Sequence, residues 1–134
     1  MNTKEAVSKR LLANGVKPTK QRMEIGMLLL AEPRHMSADQ ILGGLRNSGS
    51  RISKATVYNT LNLFTSHGLL REVSVDSSRQ FYDSTTHVHH HFYNVDTGEL
   101  TDIKRDELAF SSIPELPEGT VAHDIEVIVR IRNK

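Results

Sequence analysis

The sequence predicts an α+β chain in two parts, an N-terminal winged-helix domain followed by a small α/β domain, on three observations. Helix-period stretches with capping signals fill the first half, a strand–turn–strand pattern closes it, and the remainder alternates short extended segments with prolines and a dense histidine run. At 134 residues the chain has room for one ordinary domain or two small ones. The divisions expected are a first domain over residues 1–83, a hinge at Ser84-Thr85-Thr86, and a second domain over 87–134.

Val7, Leu11 and Leu12 recur at helical spacing and stop at Asn14-Gly15, so a first short helix is expected there. Thr19 is placed to cap a second helix over Lys20 to Ala31, which must end before Pro33 because the residue ahead of a proline is pushed out of helical geometry. Ser37 and Gln40 have capping-box spacing before Ile41, Leu42 and Leu45, and Asn47-Ser48-Gly49 closes that third helix. A fourth, Lys54 to about His67, buries Val57, Leu61 and Phe64 and is stopped by Gly68. Leu69–Val75 and Arg79–Tyr82 then read as strands joined at Asp76-Ser77-Ser78.

The second part predicts an extended stretch from His87 to Val95, a turn at Asp96-Thr97-Gly98, and a strand from Glu99 to Ile103. A short helix over Asp106–Ser112 precedes the chain-breaking Pro114 and Pro117, and a last strand with one apolar face runs from Ile125 to Ile131. So few elements bury little surface alone, which points to pairing with a second copy of the chain.

The overall charge of +1 conceals an asymmetry. Residues 1–72 carry 11 Lys/Arg against 5 Asp/Glu, and residues 73–134 carry 6 against 11. The basic part suits a polyanion. The fourth helix opposes its buried face with Lys54, Thr56, Tyr58, Asn59 and Asn62, side chains suited to base edges, thymine methyls and phosphates. No apolar run approaches the roughly 20 residues that span a bilayer, and the N-terminus lacks a signal-peptide profile, so a cytoplasmic protein with no membrane partner is expected. With no cysteine there is no disulfide and no thiolate metal site.

Four of the seven histidines fall between His87 and His91. On a strand, His87, His89 and His91 share one face while His90 points the other way, and alternate imidazoles can converge on one ion if another element supplies a third ligand. Histidines on a solvated strand, or satisfied by buried hydrogen bonds, are the bland alternative. Four in five residues favour metal or haem.

Several residue strings carry a family resemblance. Ala55-Thr56-Val57-Tyr58 followed by Leu61, the segment Gly15-Val16-Lys17-Pro18-Thr19-Lys20-Gln21-Arg22, and His35-Met36-Ser37-Ala38 resemble the ferric uptake regulator family. The resemblance implies a homodimeric DNA-binding transcription regulator reading an AT-rich inverted repeat in double-stranded DNA. Tyr58 would contact bases in the major groove and Lys17 the adjacent minor groove, while Lys20, Arg22, Lys54 and Arg79 would hold phosphates. It also implies His35, Asp83, His89 and His91 as regulatory metal ligands, His90 and His123 as parts of a second site with His87 as a nearby spare, and Asp102 as a further acid.

Zinc-stabilised members of that family carry a Cys-x-x-Cys pair where this chain has Asn94-Val95-Asp96-Thr97, so a cysteine-zinc site is excluded. The run from His89 to Asn94, with Thr97 to Ile103, resembles the iron-response-regulator (Irr) branch. That resemblance implies a regulator of iron and haem genes that acts when iron is scarce and leaves DNA when haem binds among His89, His90 and His91. The N-terminal Cys-Pro haem motif of some branch members is lacking. The alternative within the fold is direct sensing of manganese, ferrous iron or zinc, since nitrogen and oxygen ligands discriminate poorly among them.

Two readings from other classes stand beside these. A histidine-rich metallohydrolase would use three histidines and an open water position, and a haem or metal buffering protein would bind cofactor but ignore DNA. The chain has no HExxH helix, no GxSxG elbow and no phosphate loop, and a catalytic metal gives Tyr58 and the basic half no role. No enzyme is expected.

Overall fold

The structure, a computed structural model, describes residues 2–87 and 89–134. It divides into two compact units, residues 1–86 and 87–134. Among the described residues no helix is long and apolar enough to cross a membrane.

The first unit runs α1 (Thr3–Ala13), α2 (Lys20–Leu30), β1 (His35–Ser37), α3 (Ala38–Asn47), α4 (Lys54–Ser66), β2 (Arg71–Asp76) and β3 (Arg79–Asp83). Each helix starts where a polar side chain can take an orphan amide. Asn2, Thr19, Ser37 and Ser53 accept from Glu5, Arg22, Gln40 and Thr56 respectively, and Gln40 returns the bond to the Ser37 amide, so the capping box forms. Gly15 and Gly68, at φ of 78° and 76°, let α1 and α4 end in left-handed turns that return the Val16 and Leu69 amides to Leu11 and Phe64 carbonyls. Val7, Leu11, Ile25, Leu29, Ile41, Leu45, Val57, Leu61 and Phe64 make the core between the helices.

Strands β2 and β3 form the expected hairpin, β2 starting two residues later and both strands ending one residue later than expected, with only Ser77-Ser78 in the turn. Asp76 accepts from both the amide and the hydroxyl of Ser78, which holds its carboxyl below the usual range. A bulge between Ser74 and Asp76 bends the tip of this wing. The strand β1 was not anticipated. It is three residues long, too short for periodicity to register, and exists because β3 offers it an open edge, giving the order β1-β3-β2. Ser84, expected in a hinge, is buried in the first unit, where its hydroxyl accepts from the Arg34 amide and donates to the Arg34 carbonyl.

The second unit contains β4 (His90–Asn94), β5 (Leu100–Ile103) and β6 (Ile128–Ile131) in the order β5-β4-β6, with β4–β5 antiparallel and β4–β6 parallel. The extended stretch expected from His87 begins as strand only at His90, and Val88 lies outside the described residues. The helix expected over Asp106–Ser112 is a single 3-10 turn, Arg105–Glu107. Its residues are exposed, and without a buried apolar face an isolated turn does not propagate. This unit is therefore three strands with long irregular connections, and its last strand starts three residues later than the alternation suggested.

Replacing Ser37 by Ala removes one half of the capping box of α3, and an unfolding midpoint in urea should report a loss of about 1 kcal/mol with an unchanged slope.

Candidate nucleic-acid interface and metal centre

Helix α4 buries Val57, Thr60, Leu61 and Phe64 and leaves Lys54, Asn59 and Asn62 exposed, with Thr56 and Tyr58 half-buried beside them. The Lys54 ammonium stands 6.0 Å from the Tyr58 ring centroid, one helical turn away. A groove of about 460 Å³ runs between this face and the start of α2 and is lined by Thr19, Lys20, Arg22, Thr56 and Asn59, with no carboxylate in its wall. The amino end of α2 adds a positive dipole there. Arg22, expected at a phosphate, donates to the Lys17 carbonyl at 3.0 Å and so braces the loop that presents Lys17, which is exposed, as Lys20 is.

On the other side of α4 a cleft of about 360 Å³ separates it from the wing and is lined by Tyr58, Tyr82, Arg79, Asp39 and Asp76. Its two carboxylates make it the poorer path for a polyanion, although Arg79 lies exposed at the wing tip. Burial, then the charges of Glu72 and Tyr58, push the Tyr82 phenol above its ordinary value of 10.0.

In the second unit the register of β4 against β5 sets Asp102 directly opposite His91. One oxygen, Asp102 Oδ1, lies 3.2 Å from His89 Nε2 and 3.3 Å from His91 Nε2. The ring centroids of His89 and His91 are 4.4 Å apart, and those of His87 and His89 5.4 Å, so these three histidines line one side as alternation required. His91 is fully buried. His89 Nδ1 stands 2.9 Å from the His87 carbonyl, which can only accept, so Nδ1 carries the proton and Nε2 keeps the lone pair. Glu126 Oε1 sits 3.6 Å from His91 Nδ1, on the opposite side of that ring from Asp102. Two imidazole Nε2 atoms and a carboxylate oxygen converging within 4.8 Å fit a divalent manganese, iron or zinc ion. In the sequence Glu126 reads only as a polar member of an alternating strand, and nothing local marks it as a neighbour of His91.

His90 faces away, accepting the Val127 amide at Nδ1 and meeting Phe110 edge-on. His123 is exposed in the irregular stretch before β6, and among the described residues it joins no cluster of metal-ligating side chains. His35 and Asp83 face each other across β1 and β3 in the first unit, where Asp83 is buried and accepts from the Thr85 amide. A porphyrin needs an imidazole edge open to it. His91 has none, whereas His87 is exposed.

These features define a winged-helix protein with a group of nitrogen and oxygen ligands that could hold a metal ion. The chain belongs to the ferric uptake regulator family, whose profile matches residues 13–127. Proteins of this family are transcription regulators rather than enzymes. The peroxide-responsive repressor PerR of Staphylococcus saprophyticus is 35% identical over 95 residues, which is 71% of this chain and 64% of that protein. This chain thus spans less than two thirds of that relative's length. The structure of the ferric uptake regulator from Pseudomonas aeruginosa with manganese superposes with a TM-score of 0.70 at 27% identity, covering 95% of this chain and 97% of that one. The Vibrio cholerae ferric uptake regulator shares the fold at a TM-score of 0.72 and 24% identity, covering 94% and 98%.

Because the native Tyr82 phenol holds its proton more tightly than the unfolded chain does, its contribution to stability is complete below pH 10 and is lost as pH rises through the raised value. Tyr82→Phe should flatten the alkaline limb of the stability–pH curve, measured by urea unfolding from pH 8 to 11.

Proposed function

We propose that the protein is a cytoplasmic, homodimeric transcription regulator whose binding to an AT-rich inverted-repeat operator depends on a divalent metal ion. The observation that carries this reading is the convergence of His89, His91 and Asp102, with the His89 ring in the ligating tautomer, in a chain that also presents a basic, carboxylate-free groove along α4. The metal supplies a fixed positive charge and a coordination geometry that holds these side chains together. The family resemblance adds His35 and Asp83 as further ligands and assigns the base contacts to Tyr58 and Lys17. Phosphate contacts fall to Lys20, Lys54 and Arg79, with Thr56, Asn59 and Asn62 along the reading face.

Dimerisation is supported by the apolar side chains exposed on the second unit, Val95, Phe110, Ile113, Ile125, Val129 and Ile131 among them. Spread over a three-stranded sheet and its loops, they suit a symmetric partner, and a two-fold pair of reading heads matches an inverted repeat.

Release by haem in the manner of the iron-response-regulator branch is the second reading. It draws support from the residues of the β4–β5 hairpin and from the exposed ring of His87, which lies tilted beside His89. Control of iron and haem genes under low iron goes with that reading.

A titration of the purified protein on such an operator, run metal-free, with manganese, ferrous iron or zinc, and with haem, separates the two. Metal-created binding that a His89→Ala/His91→Ala variant lacks is the expected result. Metal-free binding that haem abolishes would instead favour the second reading, and no specific binding in any state would sink both. On the bound form, Lys20→Ala should weaken operator and random DNA alike and lower the salt slope by about one, while Tyr58→Ala should cost about 1–3 kcal/mol on the operator alone.

A further inference from the structure

We infer that His90 is a positioning residue, a pin that holds the lead-in of β6 against β4, and that its ring is not a ligand for the bound ion. The inference rests on the metal-sensor reading for its consequence but on hydrogen-bond chemistry for its substance. The carbonyl of Val127 accepts from the His91 amide at 3.1 Å, which opens the parallel β4–β6 ladder. Continued one step further back, a regular parallel ladder would bond the Val127 amide to the carbonyl of His89. The Val127 amide instead donates to His90 Nδ1 at 2.8 Å. Both backbone polar groups of Val127 are therefore committed to the histidine run, one through main chain and one through a side chain.

An amide can only donate, so His90 Nδ1 must use its lone pair as the acceptor, and the ring proton then resides on Nε2. An uncharged imidazole has one such lone pair. His90 has spent it on the Val127 amide, whereas His89, protonated at Nδ1, turns its Nε2 to Asp102. Hydrogen bonding thereby sets His90 apart as a pin, while the Nε2 atoms of His89 and His91 stay grouped at Asp102. Edge-on packing of Phe110 against the His90 ring, 5.8 Å between centroids, holds the pin in place.

The pin acts on the metal centre through the next residue. Fixing Val127 fixes Glu126, whose carboxylate stands by His91 Nδ1 and orients that ring. Partners of this kind typically alter metal affinity by about 10–100-fold.

Asparagine places a carbonyl oxygen close to where the Nδ1 of histidine lies but offers no ring nitrogen, so it separates the two roles. With the full chain, His90→Asn should bind manganese within about threefold of the parent and keep the Val127 amide protected from hydrogen exchange. His90→Ala should lose that protection by at least about tenfold and bind manganese about tenfold more weakly. Nitrogen-detected NMR of the histidine rings in the metal-free protein should show His90 protonated at Nε2 and His89 at Nδ1. The inference is overturned if His90→Asn loses manganese as completely as His91→Ala does, or if His90 carries its proton at Nδ1. A parent chain that binds no metal would sink the sensor reading but not touch the exchange and ring measurements, which decide the pin by themselves.

Discussion

An imidazole sealed inside a three-stranded sheet is the constraint around which the second unit is arranged. His91 has no accessible surface, and burying a polar ring is costly unless both nitrogens meet partners. The partners come from the two flanking strands. Asp102 on β5 faces Nε2 and Glu126, at the approach to β6, faces Nδ1. Central placement of β4 is what allows this, because an edge strand would offer a neighbour on one side only. The antiparallel register with β5 and the parallel register with β6 then bring residues 11 and 35 positions away onto the same ring.

The first unit solves a different problem with the same economy of parts. Helix α4 has to bury one face deeply enough to be rigid and keep the opposite face polar enough to meet a polyanion. Its apolar residues join a core built by α1, α2 and α3, while the groove against the α2 terminus keeps only neutral and basic side chains. A cleft separates the wing sheet from the other flank of α4, and the brace from Arg22 to the Lys17 carbonyl orders the loop ahead of α2. A reading surface therefore emerges from two helices and a loop rather than from the recognition helix alone.

Much of this was legible in the residues. All four long helices begin and end within a residue or two of their capping signals, because an N-cap or a left-handed glycine acts over three or four positions and needs no distant partner. The β2–β3 hairpin was equally local. The expected helix after Ile103 was not realised beyond one 3-10 turn, since propensity without an apolar face to bury gives no packing energy. The alternation of His87, His89 and His91 also held, as period-two geometry demands, even though regular strand begins only at His90.

What the sequence determined by itself is thus the set of local conformations, the basic character of the first half, the absence of thiolate chemistry and the clustering of imidazoles. Only the tertiary structure decided which strands pair, in which direction and in which register. Those choices made β1 a strand, put Asp102 opposite His91, brought Glu126 to its far side and turned His90 toward Val127. The physical reason is range. A cap or a turn is a contest among neighbouring residues, but a strand's partner is chosen by the burial and hydrogen bonding of the whole sheet, and no short window of sequence contains that competition.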